Sequence, residues 1–309
     1  MNHCLISYQP CGDAFYSPNG LSLLAKSLTN LQELPFSALE QRQEAVLRAE
    51  KMSIQGVQPK LSAKLNVRQQ CFELTDTGGT FILKPQHNDF AELPENEAIT
   101  MRLAAACGIN VPLSGLVKSK DNSLTYFIKR FDRLPKNQKR HVEDFAQLSG
   151  NSRDTKYRSS MEKLSDVIEQ FCSFPAVEKS KLFQIVLFNF LIGNEDAHLK
   201  NFSLITQNDK IELSPAYDLV NSTIVLRGVI EELALPLDGK KRKLTKDSFI
   251  QYGQKRLKLS PKIIENVLQN LSDVQPEWQR LLDICFLSDD LKNKYKTLLS
   301  KRLDVIFKE

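Results

Sequence analysis

A chain of 309 residues can bury a sizeable core and suits two lobes better than one. Its 41% apolar and 26% charged residues are ordinary for a soluble globular protein, and a net charge of +5 falls short of what a dedicated nucleic-acid binder carries. Six scattered cysteines form no CxxC pair and no zinc-type spacing, the N-terminus has no basic n-region, and no uncharged apolar run reaches about 18 residues, so a reduced, cytoplasmic protein without membrane contact is expected.

The first 50 residues open irregularly, with Pro10, Gly12, Pro18 and Gly20 as turn signals. Leucines from Leu21 to Leu31 suggest a short helix, and residues 36–52 a second one. From Ser53 the helical period gives way to alternation. Residues 60–66 and 70–74 read as strands, with Thr77-Gly78-Gly79 as a hairpin-type turn into a strand over 80–85, so an antiparallel meander is expected. Pro94 and the first-turn acids open a helix over 95–107, which Gly108 stops. Strands over 111–117 and 124–131 would complete a small sheet lobe, residues 1–133. Residues 134–309 turn mainly helical, with helices over 144–148, 160–173 and 176–192. A β-type island follows over 202–206 and 210–213, turned by Asn208-Asp209, and three helices end the chain. The class is α+β.

The densest chemistry lies in Gly193-Asn194-Glu195-Asp196-Ala197-His198-Leu199-Lys200-Asn201. Asp196 and Asn201 stand at the spacing of a catalytic base and a metal-binding amide in a kinase loop. A helix-ending turn also favours Asp and Asn, but it explains one or two of these residues and not the set. Asp196 would orient the attacking hydroxyl, Lys200 would steady the γ-phosphate, and Asn201 would bind metal. His198 reads either as a phosphate contact or as a core histidine tying the loop down. Asp218 follows one hairpin later, where a second metal-binding carboxylate would stand, and the oxygen-rich set suits Mg²⁺ rather than zinc. Upstream, Lys84 ends the apolar run Phe81-Ile82-Leu83, so its ammonium is expected to project from the sheet edge toward a cleft. Glu97 on the next helix is its expected partner, and Glu95 reads as a first-turn acid favoured by the helix dipole. The loop Ser53-Ile54-Gln55-Gly56-Val57-Gln58-Pro59-Lys60 holds one glycine, which excludes a Walker motif and GxGxxG but leaves backbone N–H groups that could face phosphate.

These motifs, with Leu93-Pro94-Glu95-Asn96-Glu97, Lys129-Arg130-Phe131-Asp132-Arg133, Glu143-Asp144 and Tyr217-Asp218, resemble in order the HipA-like serine/threonine kinase toxins of bacterial toxin-antitoxin systems. The resemblance implies a two-lobed protein-kinase-like fold with a small antiparallel-sheet N-lobe and a mainly helical C-lobe. It implies ATP and Mg²⁺ as cofactors and an aminoacyl-tRNA synthetase as substrate, phosphorylated to stall translation. By position, it makes Asp196 the catalytic base, with His198 and Lys200 beside it, and gives Asn201 and Asp218 the metal. ATP contacts fall on Gln55, Gly56, Val57, Gln58, Lys60, Lys84, Glu97, His198 and Tyr217, with Lys129 to Phe131 as the hinge against adenine. Ser53 matches an autophosphorylated serine whose modification switches the kinase off by pulling the loop from the ATP site. The partners implied are a helix-turn-helix antitoxin, through which DNA contact is only indirect, and a separate small antitoxin. The latter would resemble an N-terminal subdomain that this length leaves no room for, as in the short, HipT-type form of three-gene systems. Short forms favour the tryptophanyl enzyme as target.

Two other readings share some of these features. A small-molecule kinase of the aminoglycoside type has the same Asp-to-Asn spacing. A catalytically inert scaffold in a DNA-bound repressor complex would instead use the basic stretch Lys240-Lys241-Arg242-Lys243, which otherwise reads as a solvated surface turn.

Overall fold

The computed structural model describes residues 2–48, 58–150, 156–226 and 231–308. The chain divides into two compact units that interleave along the sequence. One comprises Met1–Ile99, Pro112–Asn137 and Asp283–Ser288, and the other Thr100–Val111, Gln138–Leu282 and Asp289–Glu309.

In the first unit, β1 (Asn2–His3) pairs with β2 (Pro10–Gly12), and α1 (Pro18–Leu24) and α2 (Ala38–Arg48) follow. Ser17 caps α1 by accepting from Gly20 N–H, and Pro18 fills the first helical position, where a missing N–H costs nothing. The helix stops at Leu24, short of Leu31. Leu28 and Leu31 are still buried in the same core, so their spacing recorded burial rather than helix.

Five strands, β3 (Leu61–Asn66), β4 (Cys71–Leu74), β5 (Phe81–Lys84), β6 (Ser114–Lys118) and β7 (Leu124–Lys129), form an antiparallel sheet in the order β4-β3-β5-β7-β6. The expected meander is therefore corrected. β4 and β5 do not pair but flank β3, whose C-terminal half pairs with Cys71–Leu74 and whose N-terminal half pairs with Phe81–Leu83. Thr77-Gly78-Gly79 lies in a crossing over β3 rather than in a hairpin. A Cβ on Gly79 would stand 1.9 Å from Ser62 Oγ, so only glycine lets the chain pass there. Phe81 and Phe127 both pack on Phe72, with ring centroids 5.1 and 5.2 Å away, at the centre of an apolar core shared with Ile6, Leu21 and Leu61.

Helix α3 (Leu93–Ala106) begins in the first unit and ends in the second. Its last turns are held among the helices: Trp278 Nε1 donates to Leu103 O at 2.9 Å, and Gln184 and Asn270 both donate to Cys107 O. The second unit adds β8 (Val142–Asp144), α4 (Phe145–Leu148), α5 (Met161–Phe171), α6 (Pro175–Ile192), β9 (Ser203–Gln207) and β10 (Lys210–Leu213). The strands form a sheet in the order β10-β9-β8. Strand β8 went unread because Asp144 looked like a helix start; it ends the strand and caps α4 in a reciprocal box with Gln147. Helix α6 is buried on nearly all sides from Leu182 to Ile192, which explains its uninterrupted apolar sequence. Among the described residues four α-helices rather than three end the chain, α7 (Lys246–Gln251), α8 (Pro261–Asp273), α9 (Gln275–Asp283) and α10 (Asp289–Phe307), and a π-helical stretch over Tyr252–Arg256 extends the first of them. The additional break comes at Val274, one residue before Gln275-Pro276 open the next helix.

Candidate active site

The end of α6 sets the loop. Gly193 terminates the helix at φ +72°, where a Cβ would meet Leu298 Cδ2 at 2.4 Å and Thr223 Oγ1 at 2.8 Å. Asn194, buried, donates to Asn189 Oδ1 and accepts Asp196 N–H at 3.1 Å, which turns the chain out so that Asp196 is exposed. Glu195 fastens the loop to the segment after Asp218. Its N–H donates to Ser222 Oγ at 2.7 Å, and its carboxylate accepts from Thr223 Oγ1 and from Glu231 N–H at 3.0 Å.

A tight turn over Leu199–Asn201 follows, closed by Asn201 Oδ1 accepting His198 N–H at 3.1 Å. His198 is buried. Burial pulls its imidazole below the ordinary range, Lys156 adds to that, and Asp196 opposes it. A neutral ring has one acceptor nitrogen. The 2.7 Å contact with Lys156 Nζ assigns that role to Nε2, which leaves the 3.3 Å approach of Lys200 N–H to Nδ1 as packing rather than a full hydrogen bond.

Asn201 Nδ2 lies 3.4 Å from Asp218 Oδ2, so the amide and the carboxylate are brought together. Asp218 holds φ +55°, a left-handed conformation uncommon for a non-glycine residue. Among the described residues no three His, Cys, Asp or Glu side chains cluster to hold a metal. One carboxylate and one amide nevertheless fit Mg²⁺, which takes few protein ligands and fills its octahedron with water and phosphate oxygens. Asn201 turns its Nδ2 to Asp218 and its Oδ1 to His198 N–H, so offering the oxygen to a metal would mean giving up the bond that closes the turn. Lys200 Nζ lies 3.5 Å from Asp144 Oδ2 and keeps a 38% exposed side chain. Tyr217 donates to Lys200 O at 2.9 Å, and its hydroxyl also bonds Ser203 Oγ. Burial raises its phenol far above the usual value.

Within the first unit, Lys84 Nζ lies 2.6 Å from Glu97 Oε1, both nearly fully buried. The expected projection from a sheet edge is corrected: β5 is the central strand, and Lys84 pairs with Tyr126 in the sheet and is 3% exposed. Glu95 stands in the first turn of α3, as expected. It is buried against Gln86 Nε2, at 2.7 and 2.9 Å, and burial pushes its carboxyl up to about 7. At the expected hinge, Lys129 N–H donates to Leu113 O and Arg130 N–H to Thr80 O, so two of its backbone donors are engaged in the sheet. Lys129's side chain is exposed and Phe131 follows the strand. Gln58 and Lys60 are half-buried ahead of β3, and Gln58 Nε2 has no hydrogen-bond partner among the described residues. Ser53, Gln55, Gly56 and Val57 lie outside the described residues. In the basic stretch, Lys241 pairs with Glu231 at 2.9 Å while Lys240, Arg242 and Lys243 are exposed, as a surface turn would be.

Sequence reading missed Lys156 and Tyr157. The Tyr157 hydroxyl donates to Asp196 Oδ1, and the two effects of burial and the Asp196 carboxylate raise its phenol well above the usual value. They lie far upstream of the loop motif, and no local pattern marks them. Glu195 was quoted within the motif without a role; only its contacts with Thr223 and Glu231 assign one.

The model of the HipA-like C-terminal domain matches residues 52–278. A Haemophilus influenzae protein named provisionally as a kinase is 33% identical over 286 residues, covering 82% of this chain and 79% of that protein. HipA from Shewanella oneidensis MR-1, solved with HipB and operator DNA, superposes with a TM-score of 0.70 at 26% identity, over 90% of this chain and 72% of that one. The Helicobacter pylori proinflammatory kinase CtkA superposes at 0.60 and 16% identity, over 83% and 91%, a likeness of fold. The α+β expectation, sheet plus helices in a kinase-like fold, thus holds. With the family model matched over well more than half of its length and the loop residues assembled as described, the chain belongs to the HipA-like family.

Proposed function

We propose that the chain is an ATP- and Mg²⁺-dependent serine/threonine protein kinase acting as the toxin of a bacterial toxin-antitoxin system. The observation that carries this reading is the second unit's loop: an exposed Asp196 already accepting a hydroxyl hydrogen bond, with Asn201 3.4 Å from Asp218 beside it. Asp196 orients the attacking hydroxyl and takes its proton as the bond to phosphorus forms. Asn201 and Asp218 hold Mg²⁺, which when bound neutralises the charge on the phosphate oxygens. Lys84, fixed by Glu97, binds the nucleotide phosphates, and Lys200 lends positive charge near Asp196. Lys129 to Phe131 contact the adenine, in keeping with the exposed end of β7.

The substrate proposed is an aminoacyl-tRNA synthetase, the tryptophanyl enzyme first, in the cytoplasm. Among the described residues no helix is long and apolar enough to cross a membrane. The Shewanella complex, in which HipA was solved with HipB and its operator DNA, supports a DNA-binding antitoxin as partner. A small antitoxin and an off-switch by autophosphorylation at Ser53 complete the proposal; Ser53→Asp should lower activity and Ser53→Ala should lose the modification. The deciding experiment incubates the purified chain with Mg-ATP labelled on the γ-phosphate and candidate synthetases, followed by mass spectrometry. Asp196→Asn should lose both transfer and growth arrest. Arrest that persists in that variant would falsify the reading.

A further inference from the structure

Tyr157 lies outside every motif, yet its hydroxyl donates to Asp196 Oδ1. Its segment is held on the loop by three further ties. Leu199 N–H donates to Lys156 O at 3.4 Å, Lys156 Nζ lies 2.7 Å from His198 Nε2, and the Tyr157 ring meets His198 edge-on with centroids 5.0 Å apart. Lys156 Nζ also stands 4.9 Å from the centre of the Tyr157 ring. An ionised carboxylate is acceptor-only, and each oxygen engaged by one hydroxyl is closed to another approaching along the same direction. In phosphoryl transfer the base must receive the attacking hydroxyl in just this manner. A substrate O–H that comes to the same side of Oδ1 therefore competes with the phenol O–H for one place. Tyr157 is 41% exposed, so its ring has solvent to turn into when displaced.

We propose that Tyr157 is an internal occupant of the acceptor-hydroxyl position on Asp196, which a substrate hydroxyl must displace before transfer. The position takes an uncharged O–H donor, and the His198 ring and Lys156 mark its sides. Tyr157 makes and breaks no covalent bond; its phenol keeps its proton, and Asp196 exchanges one donor for another. The inference rests on Asp196 being the base.

The attacking group that needs no identification is water, so the test is phosphate release from Mg-ATP by the full chain. Tyr157→Phe keeps the ring and its contact with His198 and removes only the competing donor. Release should rise about tenfold, as expected for losing a hydrogen bond to a charged group, with KM for ATP unchanged and the melting temperature lowered by no more than that one bond accounts for. The gain should vanish in Tyr157→Phe/Asp196→Asn. Unchanged or lower release in Tyr157→Phe, beside loss of transfer in Asp196→Asn, overturns the occupant and leaves the base standing. A gain that survives in the double variant removes both. Phosphate found on Tyr157 of the wild type would make it an acceptor rather than a competitor and also overturns the proposal. Should Tyr157→Phe fold poorly, Lys156→Met loosens the same segment. A smaller rise in release is expected, and none would count against the inference.

Discussion

Lys84 and Glu97 sit on a central strand and a helix at 3% and 2% exposure, 2.6 Å apart. Asp196, by contrast, is exposed on a loop, and Asp218 is held at a left-handed backbone angle by the chain around it. The first arrangement fixes a charge by burial, and the second fixes charges by a web of turns and caps anchored on α6. Burial makes a group rigid at the risk of a large penalty when its partner is lost. Loop placement leaves the group free to exchange hydrogen-bond partners, as the proposed role of Asp196 requires. Substitutions in the two regions should accordingly separate activity from stability.

The largest effect belongs to the loop. Asp218→Asn should lower phosphoryl transfer on the order of 10²–10⁴-fold with little change in urea midpoint, and a titration with Mg²⁺ should show the loss of metal response. A large drop in stability instead would erase the contrast between the regions. Glu97→Gln removes the negative charge 2.6 Å from the Lys84 ammonium in the first unit and should cost about 3–5 kcal/mol of stability, read from chemical denaturation. A small cost would mean that Lys84 finds other partners.

Gly193→Ala tests whether the loop truly depends on the end of α6. Left-handed strain and the clash with Leu298 should destabilise by roughly 1–3 kcal/mol, with activity falling beside it if Asp196 shifts. Glu95 gives the smallest effect and sharpens the cost of burial. Its folded-state carboxyl is raised from 4.5 to about 7, so the protonated form is favoured by folding. That contribution is fully present below about 4.5 and is lost as pH rises toward about 7. Glu95→Gln should flatten this slope and be more stable than wild type at pH 8 by about 1–2 kcal/mol, measured by melting across the pH range.

Much of the element order was legible because local signals are local physics. Pro94 and Gly108 bound α3, Asn208-Asp209 turn β9 into β10, and the apolar run before Gly193 is α6. Strand neighbours were not legible, because β3 satisfies one partner with each half and Gly79 permits a crossing that resembles a hairpin turn. Leu31 misled for a related reason: a buried loop can carry the same apolar spacing as a helix. At the site, Asp196 and Asn201 share one short loop, so spacing alone paired them. Lys156 and Tyr157 arrive from an unrelated stretch, and nothing in sequence distance announces such a meeting.

The sequence by itself determined the chemical inventory: a carboxylate, an amide and a lysine in one loop, a second carboxylate one hairpin on, and a lysine with a helix glutamate upstream. These follow from residue identity and short spacing, which survive whatever the chain does elsewhere. Only the tertiary structure decided which of those groups are buried, which are exposed, and what already touches them. Burial and hydrogen bonding depend on segments distant in sequence, so Lys84 became an enclosed ion pair, Glu95 a carboxyl held toward its neutral form, and Asp196 an exposed carboxylate with a tyrosine hydroxyl on it.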